Sequence, residues 1–300
     1  MNMMRRMFFG GFLGGTIYWF WRYFAPEHSA LVLGDKVVIV TGASSGIGRG
    51  LAMTFARRGA RVVLVARRAE KLEVVHREIE PYAEAVLAIA GDISDPAVQQ
   101  QVVQKTKDAF GRIDVLVNNA GITGGGLFHE FTPEKIDEIL AVNLIAAVQL
   151  THLVLPTMLA QREGYVINVG SGLGRAPTPG FVAYVASKFG LSGFSDALSR
   201  ELIGSGVRVL LVQPGWTRTE MLPPEVEEAV SSYWWYRVED PEVIAEKIAE
   251  GLVQGKREMI FGGRMVQLGI FAERHFPLLM RLLWRWELNS RWLSLIRKIG

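Results

Sequence analysis

Lys36-Val37-Val38-Ile39-Val40-Thr41-Gly42-Ala43-Ser44-Ser45-Gly46-Ile47-Gly48 is the stretch on which the fold turns. KVVIV (36–40) is short, β-branched and apolar, the pattern of a strand buried on both faces. Three glycines follow it, and a helical run begins near Arg49. A glycine turn between strand and helix lets backbone N–H groups and the helix N-terminus face a pyrophosphate with no Cβ in the way. Glycine also serves ordinary turns, so the signal draws its weight from lying between the first strand and the first helix.

Outward from this turn the pattern repeats. RVVLV (61–65), AVLAIAG (85–91), IDVLVNN (113–119), YVINVG (165–170), VRVLLVQ (207–213) and REMIF (257–261) are strand-like, and most are bounded by Gly, Pro, Asn or Asp. Their continuous apolarity predicts a parallel sheet of about seven strands with helices on both faces, the Rossmann-type doubly wound α/β fold. The spacing leaves room for a crossover helix each time, and no internal repeat is found. The expected organisation is an apolar N-terminal segment (1–30), a nucleotide-binding domain (31–263) and a C-terminal helical extension (264–300).

Composition excludes several classes. The 300 residues are 49% hydrophobic and 21% charged, with a mean hydropathy of +0.20, which rules out a disordered or collagen-like chain. Zero cysteines exclude a disulfide framework, a thiol nucleophile and a thiolate metal site. The histidines (28, 76, 129, 152, 275) are scattered, so no metal site is expected. The net charge of +3 divides unevenly: residues 31–263 hold 23 basic and 27 acidic residues, so the excess of positive charge belongs to the two ends. A nucleic-acid partner is therefore not expected.

Those ends also hold Trp19, Trp21, Trp284, Trp286 and Trp292. MFFGGFLGGTIYWFWRYFA (7–25) carries one charge, Arg22. As a helix it would reach about 28 Å, close to the ~30 Å hydrocarbon core. A membrane anchor, spanning or interfacial, is the expected reading, ahead of a signal peptide, for which no clear A-x-A site follows, or a buried helix. In the tail, Leu278, Leu279, Leu282, Leu283 and Trp286 alternate with Arg281 and Arg285. That pattern fits an interfacial helix, or one packed on the domain or a second subunit.

At the end of the second strand the chain reads Val65-Ala66-Arg67-Arg68. NAD-binding proteins usually place an acid there for the ribose hydroxyls; two guanidinium groups suit a 2′-phosphate instead, so NADP(H) is favoured over NAD(H).

In order along the chain stand Thr41-Gly42-x3-Gly46-x-Gly48, Asp92, Asn118-Asn119-Ala120-Gly121, Asn143, Ser171, Tyr184-x3-Lys188 and Pro214-Gly215. On these motifs the chain resembles the short-chain dehydrogenase/reductase family over about residues 34–262. The resemblance implies hydride transfer between a nicotinamide and a carbonyl or alcohol, with a catalytic set of Asn143, Ser171, Tyr184 and Lys188. Hydride transfer to a carbonyl leaves an alkoxide that needs a proton donor beside it. Tyr184 is the candidate, and lowering a phenol pKa of ~10 by about three units needs roughly 4 kcal/mol of preference for the phenolate. Lys188, one helical turn on, is expected to supply that charge. Ser171 would hydrogen-bond the substrate oxygen, and Asn143 would hold a water linking Lys188 to solvent.

By the same resemblance the cofactor lies against Gly42, Ser44, Ser45, Gly46, Ile47 and Gly48, then Arg67, Asp92 and Ile93. Beyond these come Asn118, Ala120 and Gly121, then Tyr184 and Lys188, and finally Pro214, Gly215, Thr217 and Thr219. Three positions depart from the family habit: Thr217 stands where Val or Ile is usual, Gly170 replaces a common Ser, and Ser45 occupies a place where many NADP-preferring members have Lys or Arg. Thr123, Trp216, Met221 and Trp234 are candidate substrate contacts, and the aromatics around them point to an apolar substrate.

The expected function is an NADP(H)-dependent, membrane-associated oxidoreductase of a hydrophobic ketone, aldehyde or alcohol (lipid, acyl, steroid or retinoid-like). Its domain is expected on the cytoplasmic side, and the family implies a homodimer or homotetramer. The rivals are a soluble-type 3-oxoacyl carrier reductase and a non-catalytic NADP(H) sensor or scaffold.

Overall fold

In the computed structural model, which describes residues 32–232, 237–287 and 294–299, the apolar runs become strands. They are β1 (Val37–Thr41), β2 (Arg61–Ala66), β3 (Ala85–Ala90), β4 (Val115–Asn118), β5 (Gly164–Val169), β6 (Val207–Gln213) and β7 (Glu258–Ile260). All pair in parallel, in the order β3-β2-β1-β4-β5-β6-β7. The N-terminal segment expected to be an anchor lies outside the described residues, as does Trp234.

Helices connect the strands: α1 (Gly46–Arg57), α2 (Ala69–Ile79), α3 (Pro96–Phe110), α4 (Pro133–Leu140), α5 (Ala146–Gln161), α6 (Val182–Glu201), α7 (Pro224–Ser231) and α8 (Pro241–Val253). A π-helical turn, Ala141–Ile145, joins α4 to α5. Past β7 come α9 (Gly263–His275) and α10 (Pro277–Glu287).

Alternation along each strand divides the interior into two cores. Val38, Val40, Val62 and Leu64 meet Leu51 and Phe55 of α1, Leu72 of α2 and Ile248 of α8. Val37, Ile39, Val63 and Leu116 meet Val102 of α3, Leu150, Val154 and Met158 of α5, and Leu198 of α6. Each fully buried Leu or Phe contributes about 1.5–3 kcal/mol. The expectation of strands buried on both faces holds in the centre and fails at the edges, where β3 buries only Ile89 and β7 buries none of its residues. An edge strand has a neighbour on one side only, and the covering helices reach it incompletely.

The continuous helix Pro133–Gln161 is long and apolar enough to cross a membrane. Its inner face is instead part of the second core, and its use here is to carry Asn143 to the carboxyl edge of the sheet.

Candidate active site

The strand order reverses between β1 and β4, which opens a crevice at the carboxyl ends of the strands. Every motif of the sequence reading falls on that edge: Thr41-Gly42 after β1, Arg67 after β2, Asp92 after β3, Asn118–Gly121 at β4, Ser171 after β5 and Pro214-Gly215 after β6.

The floor of the crevice is a clamp between β1 and β4. The Thr41 hydroxyl donates to the Val117 carbonyl (3.0 Å) and accepts from the N–H groups of Asn119 and Ala120 (3.0 Å each). The Asn119 amide donates to the carbonyls of Thr41 (2.9 Å) and Gly42 (3.3 Å). Gly42 takes a left-handed φ of 65°. A Cβ at Gly48 would stand 2.3 Å from the Gly42 oxygen, so the helix can approach the strand this closely only without one. Backbone, α1 N-terminus and bare Cα atoms thus form a cradle into which a pyrophosphate fits.

Deeper in the sheet, the Asn118 amide donates to Thr151 Oγ1 (2.9 Å) and Asn168 Oδ1 (2.8 Å), and Asn168 donates to Ser195 (2.8 Å). This buried chain ties β4 and β5 to α5 and α6.

At the adenosine end the two arginines part company. Arg67 faces Asp92 (3.5 Å) and Glu138 (3.9 Å). It is Arg68 that reaches back to the glycine turn, donating to the hydroxyls of Ser44 (3.1 Å) and Ser45 (3.0 Å). Glu220 pairs with Arg68 and Lys71, whose hydrogen bonds hold its carboxyl below the usual range. Arg68, flanked by Lys71 through their shared partner Glu220, thus brings its guanidinium to Ser45, where the sequence lacks the family's basic residue. Burial works against ionisation of Asp92, but bonds from the Ser94 N–H and hydroxyl and the charge of Arg67 outweigh it and keep its pKa low. Ile93 is buried beside it.

The catalytic candidates converge from three elements. Tyr184 and Lys188 lie on α6, Ser171 follows β5, and Asn143 sits in the π-helical turn. The Ser171 side chain lies close enough to Tyr184 to favour its ionised form. Lys188 is 4% exposed; its Nζ donates to the Val169 carbonyl (2.9 Å) and lies 5.7 Å from the centre of the Tyr184 ring. Burial lowers the Lys188 amine from 10.5 to about 8. Burial also raises Tyr184 above its ordinary value, and the Ser171 side chain offsets only part of that. The lysine stands by the ring while burial disfavours its own charge.

Asn143 is held by protein contacts. Its Oδ1 accepts from the Ile122 N–H (2.8 Å), and its Nδ2 donates to the Ile122 carbonyl (2.9 Å) and the Ser187 hydroxyl (3.1 Å). Both polar atoms of the side chain are thus engaged. It fixes the loop after β4, and a Cβ at Gly121 would lie 3.3 Å from Asn143 Oδ1 and 3.6 Å from Lys188 Nζ.

Two supporting residues escape the sequence reading. Gln213, fully buried at the end of β6, accepts from the Ser171 N–H (3.0 Å) and donates to Ser192 (3.1 Å). A polar residue closing an otherwise apolar strand is the signal that could have found it, as at Thr41, Asn118 and Asn168. Buried Glu239 accepts from the Gly262 N–H (2.8 Å), and its backbone brackets the loop after Pro214 through Trp216 and Arg218.

That loop lies over the glycine turn: a Cβ at Gly46 would meet Thr219 Cγ2 at 2.9 Å, and Gly215 abuts Gly262. The Thr217 hydroxyl donates to its own loop, to the Gly215 carbonyl (3.1 Å). Of the substrate candidates, Trp216 joins the apolar cluster that includes Tyr184. Thr123 is half-buried, and Met221 is exposed.

A phosphate cradle at the reversal of a doubly wound sheet, with a Ser-Tyr-Lys group beside it, defines a dinucleotide-dependent oxidoreductase. Comparison with known proteins agrees. The family described as short chain dehydrogenase matches residues 36–229. The chain is 37% identical over 220 residues to the 3-oxoacyl-[acyl-carrier-protein] reductase FabG of Thermotoga maritima, covering 72% of this chain and 89% of the relative. It is 30% identical over 254 residues to the dehydrogenase/reductase SDR family member 7B of Bos taurus, covering 81% and 78%. Among solved structures, a short-chain dehydrogenase from Streptomyces avermitilis superposes with a TM-score of 0.71 at 31% identity, covering 86% of this chain and 98% of its own. Levodione reductase superposes at 0.73 with 27% identity, covering 78% and 98%. The chain belongs to the short-chain dehydrogenase/reductase family. It is an oxidoreductase of CH–OH and C=O groups that uses a nicotinamide cofactor.

Proposed function

We propose that the chain interconverts a hydrophobic ketone or aldehyde and its alcohol using NADP(H), at a lipid surface. The observation that carries this reading is the grouping of Ser171, Tyr184 and Lys188 beside the phosphate cradle. A nicotinamide held in the cradle would supply, or take up, the hydride at the substrate carbon. Ser171 donates a hydrogen bond to the substrate oxygen, and Tyr184 delivers or removes the proton at that oxygen. Lys188, near 8 in its own titration, holds the ribose and adds positive charge behind the ring once the cleft fills. Asn143 fixes the Ile122 loop that borders the site.

Preference for NADP(H) is supported by Arg67 and Arg68 after β2, with Ser44, Ser45 and Lys71 around them. An apolar substrate is supported by the cluster around Tyr184, which includes Phe181, Leu173, Trp216 and Leu222. Lipid contact is supported by Leu268, Phe271, Leu278, Leu279 and Leu282, exposed on α9 and α10 beside Arg264, Arg274 and Arg281. A second reading, reduction of a 3-oxoacyl group on a carrier, is supported by the identity to the Thermotoga maritima relative.

A panel of ketones, aldehydes and acetoacetyl thioesters, assayed with NADPH and NADH in parallel and with or without anionic vesicles, tests the reading. The expected result is NADPH-preferring turnover of apolar ketones. Turnover confined to thioesters would favour the second reading, and absence of turnover across the panel would overturn both.

A further inference from the structure

We infer that the C-terminal segment 294–299 forms the far wall of the substrate cleft, and that Ile296 limits the length of substrate it admits. The segment returns to the site after α10. Ile296 and Ile299 are buried at 0% and 4% exposure, three residues apart on one side of a short turn, while Arg297 and Lys298 between them face outward. They pack with Phe181, Leu222 and Val226, and the cluster is completed by Leu173, Tyr184 and Trp216. Those last three come from the loop after Ser171, the catalytic helix and the loop after Pro214-Gly215, so the segment shares one apolar cluster with the Tyr184 ring.

Two glycines are shaped to receive it. A Cβ at Gly125 would lie 1.9 Å from the Ile296 carbonyl oxygen, and a Cβ at Gly180 would lie 1.9 Å from Ile296 Cδ1. Any larger residue at either place would expel the segment. The Gly125 N–H donates to the Ile299 carbonyl (2.5 Å), and the Gly126 N–H donates to the Gly180 carbonyl (2.9 Å), so both loops and the segment form one rim. Outside the rim, Arg297 pairs with Glu130 (2.5 Å). This accounts for Gly125, whereas a Cβ at Gly124 or Gly126 would meet Phe131.

The residues of the cluster are apolar apart from the Tyr184 hydroxyl and the Trp216 indole, so it suits an uncharged carbonyl compound. A chain that grows toward Ile296 meets a closed end, which selects a free, compact substrate over a long acyl group. In a hydrophobic pocket one methylene too many discriminates by roughly tenfold or more, and Ile296→Ala removes three carbons. The inference rests on the proposed oxidoreductase reading for its substrate class.

The test uses the full chain with 2-alkanones from butanone to undecanone. Wild type is expected to show a chain-length cut-off in kcat/KM. Ile296→Ala should raise kcat/KM at least tenfold for the first ketone beyond that cut-off and change the shorter ones less than threefold. Ile296→Val, a milder change that keeps the fold, should move the profile a smaller step in the same direction. Displacement of bound Nile red by 2-undecanone, measured on the same proteins, needs no turnover and should strengthen at least tenfold in Ile296→Ala. Absence of turnover with a shifted displacement would overturn the catalytic reading and leave the wall standing. An unchanged profile with unchanged displacement in both variants would overturn the wall.

Discussion

Lys188→Met should make the cofactor-free protein more stable at neutral pH while abolishing its activity. The amine is buried, its hydrogen bond goes to a neutral carbonyl, and its pKa falls from 10.5 to about 8. That difference corresponds to about 3 kcal/mol against the charged form. Below pH 8 the amine is protonated in folded and unfolded chains alike, and the folded protein bears the whole cost. Between pH 8 and 10.5 the folded chain has released the proton while the unfolded chain still holds it, so wild-type stability rises with pH. Methionine removes the charge but leaves the Val169 carbonyl without this donor, which costs about 1 kcal/mol. The net gain at pH 7 is about 2 kcal/mol, or roughly 4–8 °C in Tm for a domain of this size. By pH 9.5 about 2 kcal/mol of the wild-type deficit should have disappeared. Urea unfolding of both proteins from pH 7 to 9.5 measures the gap. A variant less stable than wild type at pH 7, or a gap that does not close with pH, would refute the reasoning.

Three further outcomes are expected. Arg68→Glu should raise the KM for NADPH at least tenfold and leave that for NADH within about threefold, because Arg68 carries positive charge to Ser44 and Ser45; equal losses with both cofactors would assign it a structural role. Gln213→Leu removes the acceptor for the Ser171 N–H and should cut kcat about tenfold, with Gln213→Glu restoring part of it; unaltered kcat in steady-state assays would show that Ser171 is positioned by other contacts. Leu278→Glu with Leu282→Glu places charge on the exposed face of α10 and should weaken co-sedimentation with anionic vesicles at least threefold. Unchanged co-sedimentation would move the lipid contact elsewhere in the chain.

Much of this was legible in the sequence because its determinants are local. Strands β1 to β7 announce themselves as short β-branched runs, and the residues that meet at the site are those that follow them directly, since a parallel sheet gathers every carboxyl end at one edge. What was not legible depends on tertiary distance. Arg67 and Arg68 are neighbours in sequence, and only the start of α2 decides which one turns toward Ser45. The titration of Tyr184 follows from burial, which the Tyr-x3-Lys spacing does not report. Asn143 was read from the motif, but its commitment to Ile122 depends on the π-helical turn that carries it. Ile296 lies more than a hundred residues from Gly180, and nothing in the tail's composition says that its last turn comes back to the catalytic helix.

Tyr184→Phe tests the central claim most directly. The substitution removes one hydroxyl, beside the Ser171 side chain, and leaves the phosphate cradle untouched. NADPH binding, followed by fluorescence, should stay within about twofold of wild type while ketone turnover falls by several orders of magnitude. Near-wild-type turnover with NADPH bound would contradict the assignment of Tyr184 as the proton donor, and with it the account of the site.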